Sequence, residues 1–124
     1  MSDSRLKIGI TQGDTNGVGW EVILRTFADQ RMTEIFTPVI YGSHKAAKAY
    51  MALLGGEDYT VQFNIISSAA EARAAKVNLI DTGDVDPKPG VASAEGGRAA
   101  VEALERAVAD LKDGAIDAMV TAPI

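Results

Sequence analysis

The stretch Ile8-Gly9-Ile10-Thr11-Gln12-Gly13-Asp14-Thr15-Asn16-Gly17-Val18-Gly19-Trp20-Glu21 decides the fold. It carries an apolar strand into a glycine-rich turn and then directly into a helix. Residues 6–11 read as a buried strand. Val18, Val22, Ile23 and Phe27 recur at helical spacing, which predicts a helix running to about Asp29. Glycines at such a junction let backbone N–H groups approach a ligand closely. The helix N-terminus behind them favours anions. The junction is therefore a candidate edge of a ligand-binding cleft.

The same alternation continues along the chain. Residues 36–41 read as a second strand, in which Pro38 implies either an edge position or pairing limited at the strand's start. Ser43 is a plausible N-cap for a helix over 45–54, with Ala46, Ala49, Tyr50 and Leu53 on one side and Gly55-Gly56 as its stop. Residues 59–66 read as a strand, 69–74 as a short helix capped by Ser67 or Ser68, and 77–80 as another strand. A polar loop spans 81–90. Ser93 caps the longest helix, 94–112, whose expected apolar stripe is Ala100, Leu104, Ala107, Val108 and Leu111, with Gly114 closing it. Residues 116–122 form the last strand. Strands alternating with helices predict a single α/β segment with a largely parallel sheet flanked by helices.

Composition narrows the function. The chain has 124 residues, 47% of them apolar, and a net charge of −5. It lacks the basic patch that nucleic acid requires. It contains no cysteine, which excludes disulfides, thiolate metal sites and a cysteine nucleophile. No apolar run reaches membrane-spanning length and the first residues do not read as a signal peptide, so neither membrane nor nucleic acid is an expected partner and cytoplasm is the expected location. The one histidine, His44, lies in a first helical turn, where a solvated surface role is the ordinary reading. One imidazole and scattered carboxylates are a poor inventory for a transition metal, so no metal ligand and no catalytic residue is assigned.

Three segments carry the functional signal. In the first, Gly13, Gly17 and Gly19 give the spacing G-x-x-x-G-x-G, which matches neither the dinucleotide fingerprint nor the P-loop. A tight connection without ligand is its plain alternative. Asp14 is placed to cap the helix or to face a substrate hydroxyl, and Glu21 is favoured by the helix dipole in any case. The second segment, Lys88-Pro89-Gly90 through Ala100, puts Gly96-Gly97 into the first turn of a long helix. That costs stability relative to alanine unless something approaches closely: neighbouring backbone, or a ligand met by Lys88 and Arg98. The third, Asp117-Ala118-Met119-Val120-Thr121-Ala122-Pro123-Ile124, places the Thr121 hydroxyl at a strand end, where parallel sheets bind ligands. The cleft candidates are thus Gly13, Asp14, Asn16, Gly17, Gly19, Glu21 and Thr121. The chain stops where a binding loop is expected to begin, so it reads as part of a longer protein.

In this order the three segments resemble the N-terminal part of the 4-hydroxythreonine-4-phosphate dehydrogenase family of pyridoxal phosphate synthesis. The family's Thr-x-Gly-Asp-Pro-Ala-Gly-Ile-Gly-Pro-Glu loop stands here as Thr11 to Glu21, its Pro-Gly, Ser and Gly-Gly helix start as Pro89-Gly90, Ser93 and Gly96-Gly97, and its Asp-Ala-x-Val-Thr-Ala-Pro-Ile strand as Asp117 to Ile124. Thr15-Asn16 replaces the family's Pro-Ala, and Trp20 replaces its helix-start Pro. Trp20 therefore brings a large amphipathic surface to the turn, against a neighbour or a ligand.

The resemblance implies part of a two-domain fold similar to isocitrate and isopropylmalate dehydrogenases, working as a homodimer. It implies NAD or NADP and a divalent metal as cofactors, and a small phosphorylated hydroxy acid as substrate. The family's metal-ligating histidines and its His-Thr pair lie beyond the position matching Ile124, so this segment alone is expected to be inactive. The departures at Thr15, Asn16 and Trp20 leave room for a related substrate such as a phosphothreonate or phosphoerythronate. A self-standing, non-catalytic α/β binding module is the remaining alternative.

Overall fold

A computed structural model describes residues 5–122. Five strands, β1 (Lys7–Thr11), β2 (Thr37–Gly42), β3 (Phe63–Ile66), β4 (Val77–Asp81) and β5 (Ala118–Thr121), form one sheet in the order β3-β4-β2-β1-β5. Every pairing among them is parallel. The helices are α1 (Gly19–Ala28), α2 (Met32–Ile35), α3 (His44–Leu54) and α4 (Ala94–Lys112). The expected α/β segment is what the chain forms, and within the described residues no helix is long and apolar enough to cross a membrane.

Side chains alternate across a strand, so each sheet face gathers its own core. Ile10, Ile40 and Leu79 point to the face covered by α1 and α3, where they pack with Trp20, Leu24 and Tyr50. Val39, Tyr41 and Ile80 point to the other face, against Ala103, Ala107 and Ile116. The Tyr41 hydroxyl donates to the Asp110 carboxylate of α4 at 2.6 Å. Burial, and then that bond, push the phenol well above its ordinary range.

Pro38 lies in a central strand, which corrects the edge reading and keeps the other. β2 pairs with β1 from Thr37 onward, but with β4 only from Val39. The Asn78 side chain donates to the Pro38 carbonyl at 3.0 Å, supplying there a bond that the ladder does not. The same buried amide explains a second difference. The helix expected over 69–74 is a single 3-10 turn, Ala69–Glu71, held by a reciprocal Ser68–Glu71 capping box. Beyond it, Asn78 accepts from the Arg73 N–H and donates to the Arg73 carbonyl, fixing that backbone out of helical geometry.

The strand expected over 59–66 starts only at Phe63, because Glu57–Tyr59 forms a 3-10 turn that packs Tyr59 on the α1 side of the core. The four-residue α2 was not anticipated; it is too short to show a periodicity. On α3 the buried residues are Ala46, Ala47 and Tyr50, while Ala49 and Leu53 face out. On α4 the ends fall where expected, and Ala100 and Ala107 of the expected stripe are buried, but Leu104, Val108 and Leu111 do not belong to the buried face. It is Gly96, Ala99, Ala100, Ala103 and Ala107. Small residues let the helix sit close on the sheet, and the larger Val108 and Leu111 are left 42% and 37% exposed.

Candidate functional site

The chain leaves β1 through α1 on one face of the sheet and arrives at β5 through α4 on the other. The order of connection therefore reverses between β1 and β5. In open parallel sheets that switch point, at the carboxyl ends of the strands, is where ligands bind. Thr11 and Thr121 are register partners there, and the Ala122 N–H reaches the Thr11 carbonyl. The loop 12–18 closes over this end. Thr121 stands exposed beside it. Pro123 and Ile124 lie outside the described residues.

Gln12 is the hub of the loop, and sequence reasoning passed over it. Its side chain is fully buried. Its Oε1 accepts from the Trp20 indole N–H at 3.0 Å and from the Ser43 N–H at 2.8 Å. Its Nε2 donates to the Ala99 carbonyl at 3.3 Å. One amide thus ties the end of β1 to α1, α3 and α4. The available signal was an amide side chain closing an apolar strand immediately before the glycine turn. Ser43 caps α3 as expected and also accepts from the Val85 N–H, which pins the loop after β4.

Asn16 turns out to be a clamp. Its Oδ1 accepts from the Lys88 N–H at 2.7 Å; its Nδ2 donates to the Val91 carbonyl at 2.8 Å and to Ser93 Oγ at 2.9 Å. Its own carbonyl accepts from the Gly90 N–H. The glycine loop and the 88–93 loop are therefore one unit. Replacing Asn16 with Leu keeps the volume and removes these three side-chain bonds. Because Lys88 and Val91 are exposed enough to turn to water, the expected loss is about 2 kcal/mol in urea unfolding, with faster amide exchange at Lys88. An unchanged midpoint contradicts the clamp.

The remaining candidates separate. Asp14 does not cap α1: its Oδ1 accepts from the Asn16 N–H, closing an Asx turn, and Val18 occupies the N-cap. Gly13 has φ 70°, a left-handed turn position. Gly17 is exposed, next to Val18. Gly19 and Gly96 are sites of close approach. A Cβ on Gly19 lies 2.1 Å from the Gln12 carbonyl oxygen, and one on Gly96 lies 2.6 Å from Asp14 Oδ1. Gly96 thus answers the question posed by the paired glycines, while Gly97 faces open space. Glu21 lies apart, on a shallow depression of α1 with Val22, Arg25, Thr26 and Tyr59. His44 is half-buried and packs edge-on against Phe63.

Thr15, Asn16 and Trp20, the three departures from the family pattern, are all buried. Thr15 offers its carbonyl to the Tyr50 hydroxyl, and its own Oγ1 has no partner among the described residues. These residues shape the loop from beneath. The exposed surface at this end comes from Gly17, Val18, Thr121 and the side chain of Lys88. A separate cleft of about 400 Å³ lies at the amino ends of β3 and β4, bordered by Phe27, Thr33, Val61 and Val77. It is remote from the glycine loop and on the wrong edge of a parallel sheet for a substrate. Within the described residues no group of three or more histidine or acidic side chains is placed to hold a metal ion. The divalent metal implied by the resemblance does not fit the donors that the described residues supply.

The chain is similar to known proteins in sequence and in fold. The family model described as "Pyridoxal phosphate biosynthetic protein PdxA" matches residues 34–124. Its match begins after the glycine loop, but pairwise matches cover the loop as well. A 4-hydroxythreonine-4-phosphate dehydrogenase of Bacteroides thetaiotaomicron is 44% identical over 126 residues, covering 100% of this chain and 34% of that protein. A D-threonate 4-phosphate dehydrogenase of Cupriavidus necator is 35% identical over 128 residues, covering 100% and 38%. The crystal structure of a 4-hydroxythreonine-4-phosphate dehydrogenase from Burkholderia phymatum superposes with a TM-score of 0.83 at 32% identity, over 96% of this chain and 36% of that one. The chain spans about a third of the length of the relatives it matches. Its sheet and helices are part of the isocitrate/isopropylmalate dehydrogenase-like fold of those enzymes.

Proposed function

The chain belongs to the family of the pyridoxal phosphate biosynthetic protein PdxA, and from that premise we propose that it forms the glycine-loop wall of a dehydrogenase active-site cleft. The substrate we assign is 4-hydroxythreonine 4-phosphate, whose secondary alcohol is oxidised with NAD or NADP as hydride acceptor in pyridoxal phosphate synthesis. The whole enzyme is a cytoplasmic homodimer that uses a divalent metal. The observation that carries the substrate is the 44% identity across the entire chain to a 4-hydroxythreonine-4-phosphate dehydrogenase, against 35% to a D-threonate 4-phosphate dehydrogenase.

This chain's own contribution is positional. The Gln12 and Asn16 networks hold the loop at the switch point, and Thr121 offers a hydroxyl beside it. The ligands of the metal come from polypeptide other than residues 5–122, so no step of the reaction is assigned to a group within them. A phosphothreonate substrate is the second reading, favoured by the threonate-acting relative. Its other motive, the changes at Thr15, Asn16 and Trp20, loses force because those residues are buried beneath the loop.

The test is turnover by the polypeptide of the whole gene. NAD and NADP reduction is followed on 4-hydroxythreonine 4-phosphate, D-threonate 4-phosphate and D-erythronate 4-phosphate, with and without added divalent metal. Preference for the first is expected, and no turnover by residues 1–124 alone. Preference for a threonate or erythronate phosphate replaces the substrate. No turnover on any of the three, with every cofactor and metal, leaves a non-catalytic binding module.

A further inference from the structure

The tie between the glycine loop and residues 88–93 is made by a side chain with chemistry of its own. Asn16 precedes Gly17. Asparagine is thermally labile, because the backbone nitrogen that follows it can attack its carboxamide and close a five-membered ring. Glycine is the most permissive residue at that next position. It has no Cβ to crowd the attack, and its backbone bends freely toward it. The chain's other two asparagines lack this opening. Asn64 and Asn78 lie in strands and are followed by Ile65 and Leu79.

The native loop holds the reaction off. The Gly17 N–H, whose proton must leave before the nitrogen attacks, donates to the Asp14 carbonyl at 2.9 Å. The Asn16 carboxamide is bound at both its oxygen and its nitrogen to residues 88–93, so it cannot turn back onto its own chain without giving up those bonds. The Asp14 carboxylate accepts from the Asn16 N–H at 2.8 Å and disfavours a second negative charge arising beside it. Asn16 is 6% exposed, which keeps out the water that the second step consumes. These are the contacts that close the loop, so opening of the loop and loss of protection are one event.

We propose that Asn16-Gly17 is a self-modification site gated by the clamp: it persists while the glycine loop is closed on residues 88–93 and converts to aspartate and isoaspartate when the loop opens. In the open loop the deprotonated Gly17 nitrogen bonds to the Asn16 side-chain carbonyl carbon. The bond from that carbon to the amide nitrogen breaks, and ammonia leaves with a proton taken from solvent. Water then adds to either carbonyl of the ring and breaks its bond to the Gly17 nitrogen; nothing is oxidised or reduced. Neither product rebuilds the tie. A carboxylate has no N–H for the Val91 carbonyl, and it stands beside Asp14. Isoaspartate also adds a methylene to the backbone of the turn that the Gly17 N–H closes onto Asp14. Ordinary opening of the loop reverses; this release does not. The inference stands apart from the reaction proposed above.

The test is peptide mapping of the whole-gene polypeptide incubated at neutral pH. Lys7 and Arg25 bound a tryptic peptide, residues 8–25, whose one asparagine is Asn16. Digestion at mildly acidic pH, where the reaction is slow, followed by chromatography and mass spectrometry separates its asparagine, aspartate and isoaspartate forms. A synthetic peptide of residues 8–25 and the whole chain unfolded in urea set the ungated rate. Conversion in the folded protein is expected to be at least about thirtyfold slower, the equivalent of ~2 kcal/mol of opening. Ser93→Ala removes one acceptor of the Asn16 amide and lies outside the peptide; it is expected to speed conversion in the folded protein about fivefold. Gly17→Ala is expected to slow it in folded and unfolded chains alike. Asn16→Asp, the direct product, is expected to speed amide exchange at Gly90, whose N–H the Asn16 carbonyl accepts. No conversion in the unfolded chain overturns the site. Equal rates folded and unfolded, or indifference to Ser93→Ala, overturn the gating. Unchanged exchange at Gly90 in Asn16→Asp overturns the release.

Discussion

Replacing Trp20 with Ala is expected to cost about 3–5 kcal/mol, the range for truncating a buried aromatic. Trp20 is fully buried at the first turn of α1, edge-on to Phe63 with ring centroids 6.1 Å apart. The cavity it leaves cannot refill from β2. The residue under the indole is Gly42, where a Cβ would lie 2.7 Å from the ring. The loss also takes the indole N–H from Gln12 Oε1, which keeps only the Ser43 N–H. Trp20→Phe separates the two effects. It retains most of the bulk and loses only the donor, so a cost of about 1–2 kcal/mol is expected. Urea unfolding followed by far-UV circular dichroism reads both, since the only tryptophan is removed in each. A domain of this size holds only a few such increments in total, ~5–15 kcal/mol. Trp20→Ala is therefore expected to leave the chain marginal. A midpoint close to wild type shows that the indole is not the seat of the loop.

That seat explains what was legible in the sequence and what was not. The strand–turn–helix reading at Ile8 to Glu21 stood because apolar periodicity changes from two to 3.6 across the glycines. The ends of α4 stood because Ser93 and Gly114 are strong local punctuation. Of the expected stripe on α4 only Ala100 and Ala107 are buried, for a physical reason. Hydrophobic periodicity weights large side chains, while close packing of a helix on a sheet selects small ones. Ala99, Ala103 and Gly96 carry little hydrophobic signal, yet they are the contact. Leu104, Val108 and Leu111 gave the signal and face outward. Long-range polar bonds were likewise invisible. Nothing local in the sequence says that Asn16 reaches Lys88 and Ser93, or that Asn78 holds Pro38 and Arg73. The glycine loop was legible as a tight strand-to-helix turn; that Asn16 and Trp20 help to hold it was not.

The contrast between Gly19 and Gly17 tests whether the loop is held by backbone contact. Both are glycines of the same turn, two residues apart. A Cβ on Gly19 would stand 2.1 Å from the Gln12 carbonyl oxygen and 3.1 Å from the Ala122 Cβ. Neither atom can turn aside. The first is backbone at the end of β1, and the second is a methyl group beside β5. Gly19→Ala must lift the start of α1 off the sheet, and Trp20, the next residue, moves with it. Overpacking against a fixed backbone is expected to cost about 3 kcal/mol or more. On Gly17 the nearest atom to a Cβ is the Asp14 carbonyl oxygen at 3.4 Å, an ordinary contact, and the position is exposed. Gly17→Ala is expected to stay within about 0.5 kcal/mol of wild type. Gly96→Ala falls between them, because its obstacle, Asp14 Oδ1, is a side-chain atom able to rotate. The predicted order of melting temperatures is Gly17→Ala, then Gly96→Ala, then Gly19→Ala. Because Gln12 Oε1 accepts from the Ser43 N–H, amide exchange at Ser43 should accelerate in Gly19→Ala and not in Gly17→Ala. Equal losses at 17 and 19 contradict a backbone seat, since both substitutions reduce unfolded-state freedom alike and only the native contact distinguishes them.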